Sequence, residues 1–146
     1  MTKGYRTSSH SVFRIEIHIV WITKYRYKVL QDDVAVRTRD LIRRICTEES
    51  AEILSGVVSS DHVHILASLD PSTSVSKLLQ QLKGKTSRLL QQEFPHLRKR
   101  YWGQHLWARG YFAVSAGNVS SEMIEEYIAH HFEHEEQQND TFTIEP

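Results

Sequence analysis

The 146-residue chain has little cysteine, no long hydrophobic run and no familiar nucleotide-binding motif. Its single cysteine, Cys46, excludes an internal disulfide and a Cys-x-x-Cys metal site, and is predicted to pack in a helix core. No stretch approaches the roughly 18 uncharged apolar residues of a membrane-spanning helix, and the polar N-terminus has no signal-peptide core. P-loop, GxGxxG and GxSxG motifs are also missing from the sequence. We therefore expect one cytoplasmic domain with no membrane partner.

Charge is balanced overall but unevenly distributed. Lysine plus arginine and aspartate plus glutamate each number 18, yet residues 77–109 carry eight basic and one acidic residue. Residues 110–146 carry eight acidic and no basic residues. The basic middle third indicates a polyanionic partner. On charge alone, a solvated basic face is the simpler interpretation.

Alternating and helical patterns predict seven elements in the order β-α-β-β-α-β-α. The predicted strands cover residues 12–22, 53–58, 62–69 and 111–115, and the predicted helices cover 32–50, 75–92 and 120–134. Residues 95–110 are predicted to be irregular. Two βαβ crossovers around a central hairpin indicate an α+β ferredoxin-like sandwich, with an antiparallel sheet and helices on one face.

The most informative tripeptide is His62-Val63-His64, on the second strand of the predicted hairpin. Alternate residues of a strand point the same way, so both imidazoles leave one face and form half of a metal site. Asp61 orients an imidazole or caps the turn. The alternative is a pair of surface histidines, which so short a pattern by itself favours.

Tyr127 and His131 stand four residues apart on the last predicted helix, so they share one face. A tyrosine beside a metal ligand can act as a nucleophile at phosphorus. The alternative is a half-buried tyrosine whose ring packs on the sheet edge. On the residue pattern alone we favour that alternative.

Basic and aromatic residues alternate after the second predicted helix. Bases of a single strand stack on aromatic rings, while lysine and arginine bind the phosphates. Lys83, Lys85 and Arg88 are predicted to form one ridge along a helix, and Trp107 to pack in the core. The predicted DNA-binding residues are Lys24, Arg26, Lys77, Lys83, Lys85, Arg88, Arg98, Lys99, Arg100, Tyr101 and Trp102.

Five segments form a recognisable set in this order and spacing. They are Trp21-Ile22-Thr23-Lys24-Tyr25-Arg26, Asp61-His62-Val63-His64-Ile65-Leu66, Val75-Ser76-Lys77 through Lys83-Gly84-Lys85-Thr86-Ser87-Arg88, Leu106-Trp107-Ala108-Arg109-Gly110-Tyr111-Phe112, and Gly117-Asn118-Val119 leading to Glu126-Tyr127-Ile128. Across residues 10–132 the chain resembles the single-tyrosine HUH transposases of small insertion sequences that move as single-stranded DNA. The resemblance implies a transposase domain at 1–134, followed by an acidic, mobile tail at 135–146.

The resemblance also implies a mechanism. His62 and His64 would hold a divalent metal ion, Mg²⁺ or Mn²⁺, on the scissile phosphate, and Tyr127 would attack phosphorus to leave a 5′-phosphotyrosine and a free 3′-OH. The family usually has a glutamine as third ligand where this chain has His131, and a third imidazole shifts preference toward Mn²⁺. The family acts as a homodimer that shares its tyrosine helices and recognises DNA hairpins at the element's ends.

Two other functions stay open. A domesticated HUH nuclease would cut chromosomal hairpins or initiate replication without moving an element. A non-catalytic module that binds single-stranded nucleic acid would use the same sheet without chemistry. The module predicts exposed aromatic residues where His62 and His64 stand, and it gives no reason for a tyrosine–histidine pair on the last helix.

Overall fold

The computed structural model describes residues 4–117, 120 and 122–130. The predicted ligand His131 and the predicted tail lie outside these residues. The strands are β1 (Arg6–Thr7), β2 (Val12–Phe13), β3 (Glu16–Ile22), β4 (Glu52–Val58), β5 (His62–Ser68) and β6 (Phe112–Ser115). The helices are α1 (Asp32–Glu48), α2 (Val75–Glu93), α3 (Pro95–Arg100) and α4 (residues 122–130). None of the helices described here has the length and hydropathy needed to cross a bilayer.

Four strands form one antiparallel sheet in the order β4-β5-β3-β6. The central hairpin β4–β5 closes through a tight turn in which the Ser59 amide donates to the His62 carbonyl at 2.8 Å. Helices α1 and α2 are the crossovers that return the chain to the sheet. This arrangement confirms the predicted ferredoxin-like α+β class.

Strand β3 is the centre of the molecule because both of its faces are buried. Ile19 and Trp21 lie in the main core with residues of α1 and α2. Val20 and Ile22 point to the opposite face, where they pack with Ile128 of α4. Helices α1 and α2 share one face, as predicted. α4 packs on the other face, which corrects the expectation of helices on one face only, because Val20 and Ile22 leave an apolar surface there for Ile128 to cover.

Cys46 occupies the main core, with 1% of its surface exposed. Burial raises the pKa of its thiol to about 12. The thiol therefore stays protonated and unreactive near neutral pH. The predicted packing role of this residue is confirmed.

The predicted strand 12–22 is broken in the structure. The pairing of β3 with β5 ends at Glu16 and Ser68, and one further bond, from the Leu69 amide to the Ile15 carbonyl at 2.8 Å, extends it. Residues 12 and 13 pair instead with β1 in a separate two-stranded sheet. The sequence pattern missed this because alternation does not show where the neighbouring strand ends.

The segment 95–110, predicted to be irregular, begins with the short helix α3. Pro95 stands in its first turn, where a missing N–H costs no helical hydrogen bond. Leu97 is the buried residue of this helix. A single apolar residue gives no helical periodicity, which is why the pattern did not predict α3.

Side chains of α2 hold the segment that follows α3. Thr86 Oγ1 accepts a hydrogen bond from Trp107 Nε1 at 2.8 Å, and Ser87 Oγ accepts one from the Leu106 amide at 3.2 Å. Trp107 is 4% exposed and meets Trp21 edge-on, with ring centroids 6.0 Å apart. The prediction that Trp107 packs in the core is confirmed.

We expect Thr86→Val to lower the free energy of unfolding by about 1–3 kcal/mol, because it leaves the Trp107 N–H buried without an acceptor. Thr38→Val is the matched control. Thr38 is also buried and bonds the carbonyl four residues earlier, but no described side chain donates to it. Urea unfolding of both variants measures the difference, and equal losses would contradict this account of Trp107.

Candidate active site

Three histidines lie on the sheet face opposite α1 and α2. His62 and His64 leave this face of β5, while Val63 between them is fully buried in the core. β3 brings His18 to the same face, with Nδ1 3.0 Å from Nε2 of His64 and ring centroids 5.2 Å apart. His18 was not among the predicted site residues. Strand alternation puts His18 on the face of β3 opposite the core. The sequence does not show the register between β3 and β5 that sets His18 beside His64.

Asp61 joins His62 to the turn that follows β3. Its Oδ1 lies 2.8 Å from Nδ1 of His62, and its Oδ2 accepts from Arg26 Nε at 3.1 Å. Burial raises the pKa of Asp61, but hydrogen bonds from His62 and Arg26 outweigh burial and hold it below the usual 3.8. An ionised carboxylate keeps the proton on Nδ1 of His62, which leaves the Nε2 lone pair available.

The turn after β3 has the backbone conformation needed for this contact. Tyr25 and Arg26 have φ angles of 62° and 53°, a left-handed region that non-glycine residues rarely adopt. Thr23 anchors the turn, because its amide donates to the Asp61 carbonyl at 2.9 Å and its Oγ1 donates to the Tyr27 carbonyl at 2.8 Å. The predicted DNA-binding residue Arg26 therefore has an ion pair within the site.

His64 is held in its neutral form. Burial lowers the pKa of His64 below its ordinary value of 6.5, and the nearby His18 and His62 lower it further. A neutral imidazole carries the lone pair that a metal ligand needs. Within the described residues, however, no group of three His, Cys, Asp or Glu side chains is arranged to hold a metal ion.

Tyr127 packs on the same face of the sheet as the histidines. Its ring is half-buried, and its centroid lies 5.4 Å from that of Phe112. Phe112 pairs with Val20, and Val20 pairs with His64, so one row crosses β6, β3 and β5. Strands are spaced by about 4.8 Å, which places the Phe112 and His64 backbones roughly 10 Å apart. Tyr127 lies at the phenylalanine end of that row.

The predicted ridge of cations along α2 is not formed. Lys83 Nζ donates to the carbonyls of Ala108 and Gly110 at 2.7 and 2.8 Å. Lys85 Nζ lies 3.8 Å from a carboxylate oxygen of Glu48 in α1. Residues two apart on a helix are rotated by about 200°, so these lysines serve different sides of α2.

The predicted stacking role of Tyr101 is wrong. Tyr101 is 4% exposed and belongs to the main core, with its ring 5.6 Å from that of Tyr27. The next residue, Trp102, is 88% exposed and has a φ of 55°. The chain therefore turns one ring inward and the next outward.

The remaining predicted DNA-binding residues lie at the surface or against a ring. Arg100 places its guanidinium 4.0 Å from the Tyr27 ring centroid, and Lys24 Nζ lies 5.3 Å from that of Tyr25. The exposed members of the set are Lys77, Arg88, Arg98, Lys99, Arg100 and Trp102.

Comparison with known proteins identifies close relatives. The family described as IS200-like transposase matches residues 11–131. The ISDra2 transposase TnpA of Deinococcus radiodurans is 32% identical over 117 residues, which cover 80% of this chain and 84% of the relative. The IS200 transposase of Salmonella typhimurium is 30% identical over 128 residues, which cover 88% of this chain and 84% of the relative.

Solved structures agree with these sequence relatives. A crystal structure described as a transposase from D. radiodurans R1 matches with a TM-score of 0.80 and 32% identity, covering 86% of this chain and 97% of that one. The REP-associated tyrosine transposase bound to a REP hairpin matches with a TM-score of 0.54 and 13% identity, covering 86% and 67%. The second likeness is one of fold alone.

We expect the lowered pKa of His64 to make the metal-free protein lose stability in mild acid. Imidazoles of the unfolded chain take up protons near pH 6.5, whereas His64 in the folded protein takes one up only at lower pH. Its contribution to stability is therefore present above about pH 6.5 and is lost as the pH falls below that value.

Thermal unfolding in EDTA between about pH 5 and pH 7.5 measures this dependence. His64→Gln should remove the contribution of His64 and make the melting temperature depend less on pH. His96→Gln, at an exposed position, is the control and should leave that pH dependence unchanged. The same pH slope in His64→Gln and wild type would contradict the assignment.

Proposed function

The chain belongs to the IS200-like transposase family, and on this premise we propose that it cleaves and rejoins single-stranded DNA as a single-tyrosine HUH enzyme. The observation that carries the proposal is the placement of His62, His64 and Tyr127 on one face of the sheet. That face combines a potential nucleophile with two nitrogen ligands. The core packing of α1 and α2 occupies the other face.

In the proposed reaction, the phenolic oxygen of Tyr127 attacks the phosphorus of the scissile phosphodiester. The bond from phosphorus to the 3′ oxygen breaks, the phenol loses its proton, and the departing 3′ oxygen gains one. The products are a 5′-phosphotyrosine and a free 3′-OH. Attack of a 3′-OH on the phosphotyrosine reverses each step, so rejoining needs no nucleotide cofactor.

We propose His62, His64 and His131 as the ligands of a divalent cation. The donor set fits at His62, because the Asp61 contact leaves its Nε2 lone pair available. His64 is held neutral, but its Nε2 lies 3.0 Å from Nδ1 of His18, so His64 must leave that contact to bind a cation through Nε2. When bound, Mg²⁺ or Mn²⁺ would neutralise charge on the phosphate. Three imidazoles favour Mn²⁺ over Mg²⁺, which prefers oxygen ligands.

We propose that the enzyme acts as a homodimer in which α4 serves the partner's histidines. In this chain the Tyr127 ring packs on Phe112, so the phenol must leave that contact to reach DNA. Gly117 precedes α4 with a φ of 95°, and an added Cβ there would meet no atom within 4 Å. A glycine in open space is suited to a hinge between the sheet and the helix.

We propose DNA hairpins with single-stranded flanks as the substrate. The REP-associated tyrosine transposase, which shares this fold, was solved with a REP hairpin. In this chain Trp102 offers an exposed ring beside the basic residues that end α3. Such a combination stacks unpaired bases and binds their phosphates.

Non-catalytic binding of a single strand is the second candidate. The packing of Tyr127 on Phe112 favours it, because a purely structural tyrosine would make that contact. The Asp61–His62 contact counts against it, since a passive surface needs no oriented imidazole. A domesticated HUH nuclease would use the same side chains, and hairpin repeats flanking the gene would distinguish the two.

We expect Tyr127→Phe to bind single-stranded DNA within about twofold of wild type and to form no covalent adduct, because only the nucleophilic oxygen is removed. Denaturing electrophoresis with a labelled oligonucleotide carrying the element's end and Mn²⁺ detects the adduct. Tyr5→Phe, at an exposed residue away from the site, is the control and keeps the adduct. An adduct that persists in Tyr127→Phe would remove this residue from the role.

His62→Ala and His64→Ala are each expected to lower cleavage by about a hundredfold or more, since loss of a direct ligand costs at least as much as loss of its hydrogen-bond partner. DNA binding should remain, and EDTA should have the same effect on the wild type. His96→Ala, at an exposed position of α3, is the control. Undiminished cleavage in EDTA would count against the metal.

A further inference from the structure

The two histidines of the pair on β5 have different hydrogen-bond partners. Asp61 lies 2.8 Å from Nδ1 of His62, which leaves Nε2 of that ring available. In His64 it is Nε2 that is engaged, because Nδ1 of His18 lies 3.0 Å away. One histidine therefore presents its Nε2 to a cation, and the other has the same nitrogen in a hydrogen bond.

The contact between His18 and His64 engages Nε2 of His64 in either tautomer. If His18 donates, the lone pair of Nε2 accepts the hydrogen bond, and if His64 donates, Nε2 carries the proton. A metal ion binds a ring nitrogen only through a free lone pair. The hydrogen bond to His18 and the binding of a cation at Nε2 of His64 therefore exclude each other.

The strand register places His18 on the side of His64 that is away from His62. His18 pairs with Leu66, two residues after His64, whereas His62 stands two residues before it. At a rise of roughly 3.3 Å per residue, His62 and Leu66 are about 13 Å apart along β5. His18 is thus poorly placed to share a cation with His62, which agrees with the lack of a three-ligand group in the described part of the chain.

The surroundings of His18 favour its contact with His64. Its cross-strand neighbours are Leu66 on β5 and Val114 on β6, and neither side chain can form a hydrogen bond with an imidazole. His18 and His64 are both partly buried. Because a polar group away from water is costly to leave unpaired, the contact between the two rings stabilises this position of His64.

We propose that His18 is a positioning residue that withholds Nε2 of His64 from the cation and thereby sets the affinity of the site. The cation first binds Nε2 of His62, and His64 joins it after leaving His18. His18 lowers the affinity without contacting the ion. The inference rests on the proposed function, because that function makes His62 and His64 the ligands.

His18→Phe tests the proposal, because phenylalanine keeps a ring and offers no nitrogen to His64. Its affinity for Mn²⁺ should be about threefold to tenfold higher than that of the wild type, the range that one net hydrogen bond contributes. Electron paramagnetic resonance of free Mn²⁺ measures the affinity near neutral pH. A protein with both His62→Ala and His64→Ala reports binding elsewhere, which is subtracted. Equal or weaker binding by His18→Phe would overturn the proposal.

Two further variants distinguish the hydrogen bond from a general effect of altering β3. His18→Asn keeps a polar atom near the position of Nδ1, so it should bind Mn²⁺ within about twofold of the wild type. His10→Phe, at an exposed position outside the four-stranded sheet, should leave the affinity unchanged. If His18→Asn gained as much affinity as His18→Phe, the hydrogen bond would not be the cause and the proposal would fail.

Nuclear magnetic resonance of the wild type keeps the proposal testable even if a variant does not fold. The protein carries isotope-labelled histidine, and Zn²⁺ serves as a diamagnetic probe. Nε2 of His62 and of His64 should take metal-bound chemical shifts, while Nδ1 of His18 moves to the shift of an imidazole that has lost its partner. A metal-bound shift at His18, or an unchanged one while His64 binds, would overturn the proposal.

Adduct formation keeps this inference distinct from the catalytic proposal. The Mn²⁺ concentration that gives half of the maximal adduct should fall in His18→Phe by the same factor as the dissociation constant. A wild-type protein that binds Mn²⁺ and forms no adduct would overturn the catalytic proposal, and the binding comparison would still decide on His18. Adduct formation without saturable Mn²⁺ binding would overturn the role of His18 instead.

Discussion

The antiparallel pairing of β3 with β5 is the constraint on which the candidate site depends. Seven residue pairs, from Glu16 with Ser68 to Ile22 with His62, set the register. A slip of one residue would turn His62 and His64 toward the core and expose Val63. The burial of Val63 and its neighbours under α1 and α2 prevents that slip. Burial of Val63 in the core therefore determines that His62 and His64 lie on the opposite face of the sheet.

One end of that pairing also sets the electrostatics of the site. Ile22 and His62 close the ladder, and the chain beyond β3 turns back through two residues with positive φ. The strained turn brings Arg26 to Asp61, and Asp61 to His62. A cation, a carboxylate and an imidazole thus form a chain that keeps one ring nitrogen protonated and the other free. The site is prepared by hydrogen bonds that need no ligand.

Sequence patterns predicted the features that depend on the alternation of residues within one element. They missed the features that depend on how separate elements pack or pair. The hairpin and the shared face of His62 and His64 follow from the period of a strand. α2 begins at Val75, and the side chain of Ser74 caps it by accepting from the Lys77 amide. The position of His18 depends on a register between strands 46 residues apart. Likewise, Tyr101 and Trp102 are both aromatic residues of the same basic segment, so the sequence does not distinguish them. The end of α3 and the left-handed backbone at Trp102 bury the Tyr101 ring and expose the Trp102 ring.

The proposed reaction requires Tyr127 and the paired histidines to act on one phosphodiester. Mass-spectrometric mapping of the protein after reaction with single-stranded DNA and Mn²⁺ tests it most directly. We expect one nucleotide-bearing peptide, modified at Tyr127, in the wild type and none in a protein lacking either histidine of the pair. A nucleotide on any other side chain, or on Tyr127 regardless of the histidines, would contradict it.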